Sequence, residues 1–479
     1  MTALASPSSF DFANDELFRL LHQVQQPLVQ SPLKDEADFR IVSYAFPVTA
    51  IDPLLYLKQV IDTQHHYFYW ENPAQQQTIV SYGVAQSLTI NGPQRFARAQ
   101  RFVQDCTARL VHQTPAEQLV GLPRFFSHFT FSPLTETVHP IFPAATVVLP
   151  KFQLVRWGKD HRLVVNIAVD GSVDLDKVLG QVRQQQQYLT QTPSRFSNLT
   201  KINWDWKGQL LDSAQRAAFK TSVTQALRSI ERGELHKIVL ACSAELTSRQ
   251  PFDVVYSLQN LRQRYADCYL FAVSNGNGQT FMGASPERLL SIQNCQLITD
   301  AIAGSAPRGK TPEQDAAFAQ QLINSPKEQR EHQVVSDYLR SRLRQLGLSV
   351  TVAPRSLLKL SNIQHLHTLL TAALPESSIL PLEIVAQLHP TPAVAGVPSR
   401  VACDRLHRYE TFERSLYAAP LGWLDSAGNA HFVVGIRSAL LTSNRARLYA
   451  GAGIVAGSDP TKEFAEIQLK LQSLVRALV

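Results

Sequence analysis

The sequence predicts an α+β fold, with strands paired mainly as hairpins and helices packed around them. Three observations carry this. Short runs of alternating β-branched residues recur in close succession. Several stretches between them show the apolar spacing of amphipathic helices. The regular strand–helix–strand rhythm of a doubly wound parallel sheet is missing.

The elements follow in chain order. The start, MTALASPSSFDFANDELFRLL, has no basic segment and no long apolar run, so neither a secretory leader nor a membrane span is expected. Ala144-Thr-Val-Val-Leu-Pro, Gln153-Leu-Val-Arg-Trp and Arg162-Leu-Val-Val-Asn-Ile-Ala-Val alternate as strands do. Thr190 to Asn203, rich in Thr, Ser, Pro and Asn, is expected to be a loop dividing a variable N-terminal part (1–203) from the remainder (204–479). Asp212 to Arg232 reads as a helix with Phe219, Val223, Leu227 and Ile230 on one stripe, and Gly233 stops it. The strand Lys237-Ile-Val-Leu-Ala comes next, then a helix from Asp253 to Tyr265. Strands follow at Tyr269 to Val273 and Thr280 to Met282, and then a long helix around Glu328 to Leu346. Val334, Val335, Tyr338 and Leu339 are its expected buried stripe. Near the end a glycine-rich turn, Gly451-Ala-Gly453-Ile-Val-Ala-Gly457, runs into a helix whose N-cap is Asp459 and whose first residue is Pro460.

At 479 residues the chain has room for one very large domain or several ordinary ones. With 44% hydrophobic and 18% charged residues it has the composition of a protein with an ample core. The net charge of +7 points to an anionic partner, but the basic residues are scattered. The densest group, Arg340, Arg342 and Arg344, reads as the solvated side of a helix, which sets nucleic acid aside. The cysteines (Cys106, Cys242, Cys268, Cys295, Cys403) are odd in number, far apart and lack CxxC spacing. A disulfide framework or zinc site is therefore not expected, and a reducing cytoplasm is. The sequon Asn198-Leu-Thr200 is then a chance match.

Several groups have chemical potential. On the terminal helix Glu463, Glu466 and Lys470 stand at i, i+3 and i+7, so two carboxylates and an ammonium share a face. Beside exposed backbone N–H groups they suit a hard cation and an anionic ligand together. The glycine run superficially resembles a dinucleotide fingerprint, but the chain that remains has no room for the required βαβ unit. Glu331 either points into a cleft or pairs with Lys327 on the surface, the simpler reading in isolation. In Gly283-Ala-Ser-Pro-Glu287 an acid leaves a small-residue turn; apolar neighbours would raise its pKa and fit it as a general acid, whereas Ser285-Pro286-Glu287 is also an ordinary helix start. Lys237 either snorkels at a sheet edge or sits desolvated in a cleft as a base. His365 and His367 lack a third ligand nearby, so hydrogen bonding is the expected role.

The order of these pieces says more than any one of them. Lys237-Ile-Val-Leu-Ala, Gly283-Ala-Ser-Pro-Glu287, Ala303-Gly-Ser305, Glu331-His332, His365-Leu-His-Thr368, His389-Pro-Thr-Pro-Ala-Val-Ala-Gly396, Tyr417-Ala-Ala-Pro-Leu-Gly422, Ile436-Arg437-Ser438 and Leu448-Tyr-Ala-Gly-Ala-Gly-Ile-Val lead to Glu463 and Glu466. From about Asp212 to the C-terminus this resembles the chorismate-utilising enzymes: isochorismate, salicylate, anthranilate and aminodeoxychorismate synthases. The N-terminal part resembles them only loosely.

The resemblance implies a large α/β sandwich of layered antiparallel sheets flanked by helices, Mg²⁺ as cofactor and chorismate as substrate. It implies Glu331 and Glu466 as metal ligands, with Glu463 assisting. Arg437, Tyr449, the Gly453 N–H and Lys470 would receive the enolpyruvyl arm. His365 would lie near the ring or the departing hydroxyl, and Gly304 and Ser305 would line the substrate site. Ammonia-using relatives generally have Gln at the position of Lys237, and the aminodeoxychorismate type often has Lys at that of Ala303. This chain therefore resembles the water-adding members, with Lys237 as base and Glu287 as acid in isochorismate formation. A salicylate synthase is the alternative, and behind it stand an anthranilate synthase component, disfavoured by Lys237, and a non-catalytic chorismate-binding regulator, disfavoured by the presence of both the base and the acid. The resemblance further implies no glutaminase subunit; the size of the core favours a monomer. The long N-terminal part leans toward the menaquinone or phylloquinone type. Cys242 stands where many relatives have Arg.

Overall fold

In the computed structural model, residues 9–30, 39–61, 65–112, 119–134, 140–192, 210–361, 363–375 and 379–478 are described. Among them two large sheets face each other. The larger has twelve strands. From one edge it runs Gly396–Val397, Lys237–Thr247, Arg445–Val455, Ser438–Thr442, Gln279–Ser285 and Tyr269–Ser274. It then passes to Tyr67–Asn72, Gln77–Tyr82, Phe152–Trp157, Asp160–Val169, Arg40–Pro47 and Leu110–His112. The second sheet runs Val350–Val352, Ile363–Ala373, Gln296–Pro307, Arg288–Gln293, Ala430–Val434 and Pro420–Asp425, then Arg124–Phe129, Ala145–Leu149 and Gln86–Ile90. The pairings are antiparallel apart from Arg40–Pro47 with Leu110–His112. This is the layered α+β sandwich that the sequence led us to expect.

Each sheet draws one half from before residue 193 and one from after 209. The halves join at Tyr67–Asn72 against Tyr269–Ser274 and at Arg124–Phe129 against Pro420–Asp425. The core lies between the sheets. Phe68 meets Phe126 at 4.3 Å between ring centroids, and Trp70 packs edge-on to both Trp423 and His431. Apolar burial on this scale drives the fold at about 25 cal/mol per Å².

The helices cover the outer faces, and their ends match the local sequence. Ser213–Glu231 starts in a capping box between Asp212 and Gln215 and stops at Gly233, which takes φ +71°. Its buried face is Phe219, Val223, Ala226 and Ser229, with Leu227 and Ile230 at the margin. Val254–Arg264 is capped by Asp253. Pro326–Gln345 is capped by Ser325 and buries His332, Val335, Ser336, Leu339 and Leu343; Val334 and Tyr338 are only half-buried. Among the described residues no helix is long and apolar enough to cross a membrane.

Three expectations need correction. The glycine run is not a turn: Gly451 to Val455 complete the strand Arg445–Val455, and only the residues after Val455 turn toward the terminal helix Pro460–Leu478. Glycines in a strand here admit close side chains. Ser285-Pro286-Glu287 starts no helix; it links the strand Gln279–Ser285 to Arg288–Gln293. Of the loop expected over 190–203, Thr190 and Gln191 end the helix Leu175–Gln191, and residues 193–203, with the sequon and the proposed boundary, lie outside the described residues.

Candidate active site

One cavity of about 270 Å³ gathers the catalytic, metal-ligand and substrate-binding candidates of the sequence. Lys237, Glu287, Gly304, Ser305, Glu331, His365, Arg437, Tyr449, Gly453, Glu463, Glu466 and Lys470 all border it. Five elements make most of its wall: the strands Lys237–Thr247, Arg445–Val455 and Gln296–Pro307, the helix Pro326–Gln345 and the terminal helix.

Lys237 is buried, and its Nζ lies 2.7 Å from Glu331 Oε1. The cleft reading of both residues is thus the one realised, and Lys327 sits beside Glu328 instead. Glu331 is strongly desolvated, yet the Lys237 ammonium holds its carboxyl below the ordinary value. Gly453 makes room for the pair. A Cβ there would lie 3.2 Å from Glu331 Oε1 and 3.4 Å from Lys237 Cε.

Gly453 also turns its amide toward the cavity. On the facing strand the Val239 N–H goes to Ala395 O and the Ala241 N–H to Glu410. Their partners Gly453 and Gly451 therefore occupy non-hydrogen-bonded pair positions, with N–H and C=O pointing away from the Lys237 strand. On that side the strand Ser438–Thr442 pairs only as far as Leu448. Gly451 O takes the Lys470 ammonium at 2.8 Å, and the Gly453 N–H faces an opening suited to an anion.

Glu287 is buried opposite. Desolvation raises its carboxyl from 4.5 to about 7, with Asp300 adding to the rise and Lys237 and Thr391 opposing it. The Thr391 hydroxyl is buried and makes no well-formed hydrogen bond among the described residues. A carboxyl near 7 is matched to proton donation at neutral pH.

Sequence reasoning missed Glu328. Its carboxylate borders the same cavity and accepts the Ser305 N–H at 3.3 Å. Gly304 allows the approach, standing at a β-bulge with φ +74° where a Cβ would come within 2.9 Å of Glu328 Oε2. The signal was present: Glu328 and Glu331 repeat the i, i+3 spacing of Glu463 and Glu466. Burial and the neighbouring Glu331 raise the Glu328 carboxyl; burial and Glu466 raise that of Glu463. Glu466 pairs with Lys470 at 2.7 Å.

Among the described residues no three His, Cys, Asp or Glu side chains stand close enough to clasp a metal by themselves. Four carboxylates around one cavity, mutually repelling, nonetheless fit a hard cation that keeps waters and takes few protein ligands. The residues present suit Mg²⁺ in that open form.

The remaining side chains orient polar groups inward. Burial and the Arg437 charge lower the His365 ring to about 3, so it is neutral. Its Nδ1 lies 3.1 Å from Gly304 O; that nitrogen therefore donates, leaving Nε2 as an acceptor. His367 lies apart and pairs with Asp300. Arg437, at φ +47°, donates to Cys268 Sγ and lies over the Tyr265 ring. Tyr449 presents its ring, stacked on Tyr417 with centroids 5.1 Å apart. Cys242 is five residues along the strand from Lys237 and faces the opposite side. Burial pushes its thiol up to about 12, so it behaves as a small apolar group, not a nucleophile.

The comparison with known families decides the assignment. Residues 24–479 match the model described as "Chorismate binding enzyme". The chain belongs to this family. A salicylate biosynthesis isochorismate synthase of Pseudomonas aeruginosa is 34% identical over 91% of this chain and 90% of its own length. The isochorismate synthase MenF of Bacillus subtilis is 29% identical over 91% and 93%. Among solved structures, the menaquinone-specific isochorismate synthase MenF of Escherichia coli superposes with a TM-score of 0.77 at 26% identity, covering 98% of this chain and 100% of that one. The chorismate-binding family thus matches this chain over both halves, including the N-terminal part that resembled it only loosely in sequence.

Proposed function

We propose that the protein is an isochorismate synthase, an isomerase that adds water at C2 of chorismate and releases the C4 hydroxyl. The observation that carries this reading is the pairing of Lys237 with Glu287. A buried amine and a buried carboxyl near pH 7 border one cavity, as addition and departure at two ring carbons require. The long relatives named as isochorismate synthases support it.

In this reading Lys237 takes a proton from the water that attacks C2, and Glu287 donates its proton to the C4 oxygen as that bond breaks. In the reverse direction the two exchange tasks, with proton and hydroxyl balanced. His365 Nε2 accepts from a substrate hydroxyl. Arg437, Lys470 and the Gly453 N–H take the enolpyruvyl carboxylate, with Tyr449 against the arm and Gly304 and Ser305 holding His365 and Glu328 in place. Glu331, Glu466, Glu463 and Glu328 would hold Mg²⁺, which supplies positive charge to anchor the ring carboxylate. Glu331 is shared: the carboxylate that pairs with Lys237 also faces the would-be cation, so freeing the amine and holding the ion draw on one group.

The rest of the proposal follows from this chemistry. Water as the nucleophile needs no glutaminase, and one chain walls the cavity, which supports a monomer. The free cysteines support a cytoplasmic setting. Residues 1–203 would form the variable part of the fold and 204–479 the catalytic region. Supply to menaquinone or phylloquinone synthesis is supported by the full-length match to MenF.

The test is incubation of purified protein with chorismate and Mg²⁺, with products separated by chromatography. Isochorismate alone is expected. Salicylate with pyruvate would replace the reading by a salicylate synthase, and anthranilate formed with ammonia would overturn the assignment of Lys237.

A further inference from the structure

A buried ion pair that this chemistry leaves unused stands behind the cavity. Arg414 and Glu410 lie just past the helix Ser399–Tyr409, each side chain 4% exposed. Arg414 Nε donates to Glu410 Oε2 at 2.8 Å and Nη2 to Oε1 at 2.5 Å. The guanidinium also reaches two backbone carbonyls, Val394 O at 2.8 Å and Val239 O at 2.6 Å. Glu410 Oε1 in turn accepts the Ala241 N–H at 2.8 Å.

The placement has a structural logic. The edge strand Gly396–Val397 pairs only with Lys237 and Ile238, and Val239 then bonds to Ala395 O. Beyond that point Val239 O and Ala241 N–H are the groups a neighbouring strand would satisfy. Arg414 and Glu410 supply the missing donor and acceptor. The same guanidinium lies over Phe131 at 4.5 Å and near Tyr417 at 5.9 Å, and Arg414 O accepts the Tyr417 N–H. Val239, Val394 and Tyr417 all border the cavity, and Val239 is two residues along the same strand face from Lys237.

We propose that Arg414 and Glu410 are positioning residues of the isomerisation, a clamp that sets the Lys237 strand against the Val394 segment and Tyr417. The proposal rests on the reaction assigned above. The clamp touches no reacting atom. It fixes how far the base stands from the wall that holds the ring, and a small displacement at that distance is costly in rate.

A buried pair that merely supports the fold behaves differently. Replacing both partners by apolar residues of similar size is often neutral or stabilising, whereas removing one leaves a charge uncompensated. The test therefore combines Arg414→Lys, Glu410→Gln and the double variant Arg414→Met with Glu410→Met. Each is measured for thermal unfolding, kcat and KM per folded molecule, and amide exchange over 237–241 and 393–397. The double variant is expected to stay folded but to melt below wild type, because Val239 O, Val394 O and the Ala241 N–H lose their partners, to lose kcat by roughly tenfold or more with KM changed less than about threefold, and to exchange faster in both segments. Arg414→Lys, which loses the planar fork, should show the same split. Wild-type kcat and unchanged exchange in a folded double variant, or in Arg414→Lys should the double variant not fold, would overturn the clamp. Wild-type protein is assayed alongside. If it forms no isochorismate, the functional reading fails separately, and exchange, which needs no turnover, still decides the clamp.

Discussion

Glu287 carries the sharpest consequence of the geometry for a single residue. Its carboxyl stands at about 7 when folded and 4.5 ordinarily, so the folded state holds the proton more tightly. The stability this gives is complete below pH 4.5 and is lost as pH rises through 7. Glu287→Gln, which cannot ionise, should therefore unfold at higher urea than wild type at pH 8, by on the order of 2–3 kcal/mol, and match it at pH 4. The same variant should lose turnover by roughly a hundredfold or more while still binding chorismate, and the wild-type rate should fall as pH climbs past 7. A variant no more stable at pH 8 would show that burial does not raise this carboxyl. Glu466 offers a second test. Removing it takes away a carboxylate that faces Glu463 and Lys470, so Glu466→Ala should shift the Mg²⁺ titration of activity by about tenfold or more. An unchanged titration would remove it from the cation site.

The terminal helix shows how an element delivers site residues and how far its sequence could be read. Asp459 Oδ1 accepts the amides of Thr461 and Lys462, at 2.8 and 2.9 Å, in the turn that leads to Glu463. Asp459→Ala should cost about 1 kcal/mol of stability. It should also weaken the Mg²⁺ response more than that loss alone explains, because fraying moves Glu463 and leaves Glu466, one turn deeper, in place. Thermal unfolding beside a Mg²⁺ titration checks both. The cap, Pro460 and the shared face of Glu463, Glu466 and Lys470 were legible because helical spacing is local. The glycines before them were not. Small residues mark a turn and a crowded strand alike, and only the Lys237–Glu331 pair opposite Gly453 shows which applies. Glu328 escaped for a related reason: a surface glutamate and a cavity glutamate look the same until Gly304 and Ser305 fold against it. The sequence order of Lys237, Glu287 and Glu331 placed them in one family pattern, but the ion pair that joins the first and third spans two distant elements and has no sequence signature.

Across the whole molecule the two halves share both sheets, and one buried cluster ties them further. Arg262, on the helix Val254–Arg264, grips Asp52 with two bonds of 2.7 and 3.1 Å, Glu71 at 2.9 Å and the Tyr69 hydroxyl at 2.7 Å. Asp52 caps the helix Pro53–Val60, and Glu71 and Tyr69 lie on Tyr67–Asn72, the strand that joins the N-terminal half to Tyr269–Ser274. Glu71 is 2% exposed and, among the described residues, keeps only Arg156 as a cationic partner if Arg262 is removed. Arg262→Met therefore leaves buried negative charge uncompensated and should lower the unfolding free energy by about 3–5 kcal/mol. A large protein often unfolds in steps. Here, sheets continuous across both joins argue that the halves go together. In urea, tryptophan fluorescence, to which Trp70, Trp157 and Trp423 contribute together with Trp204 and Trp206, should therefore change in one transition that coincides with loss of activity, in wild type and in Arg262→Met alike. Activity lost well before the fluorescence transition, in the variant only, would show instead that Arg262 and not the shared sheets holds the catalytic half to its neighbour.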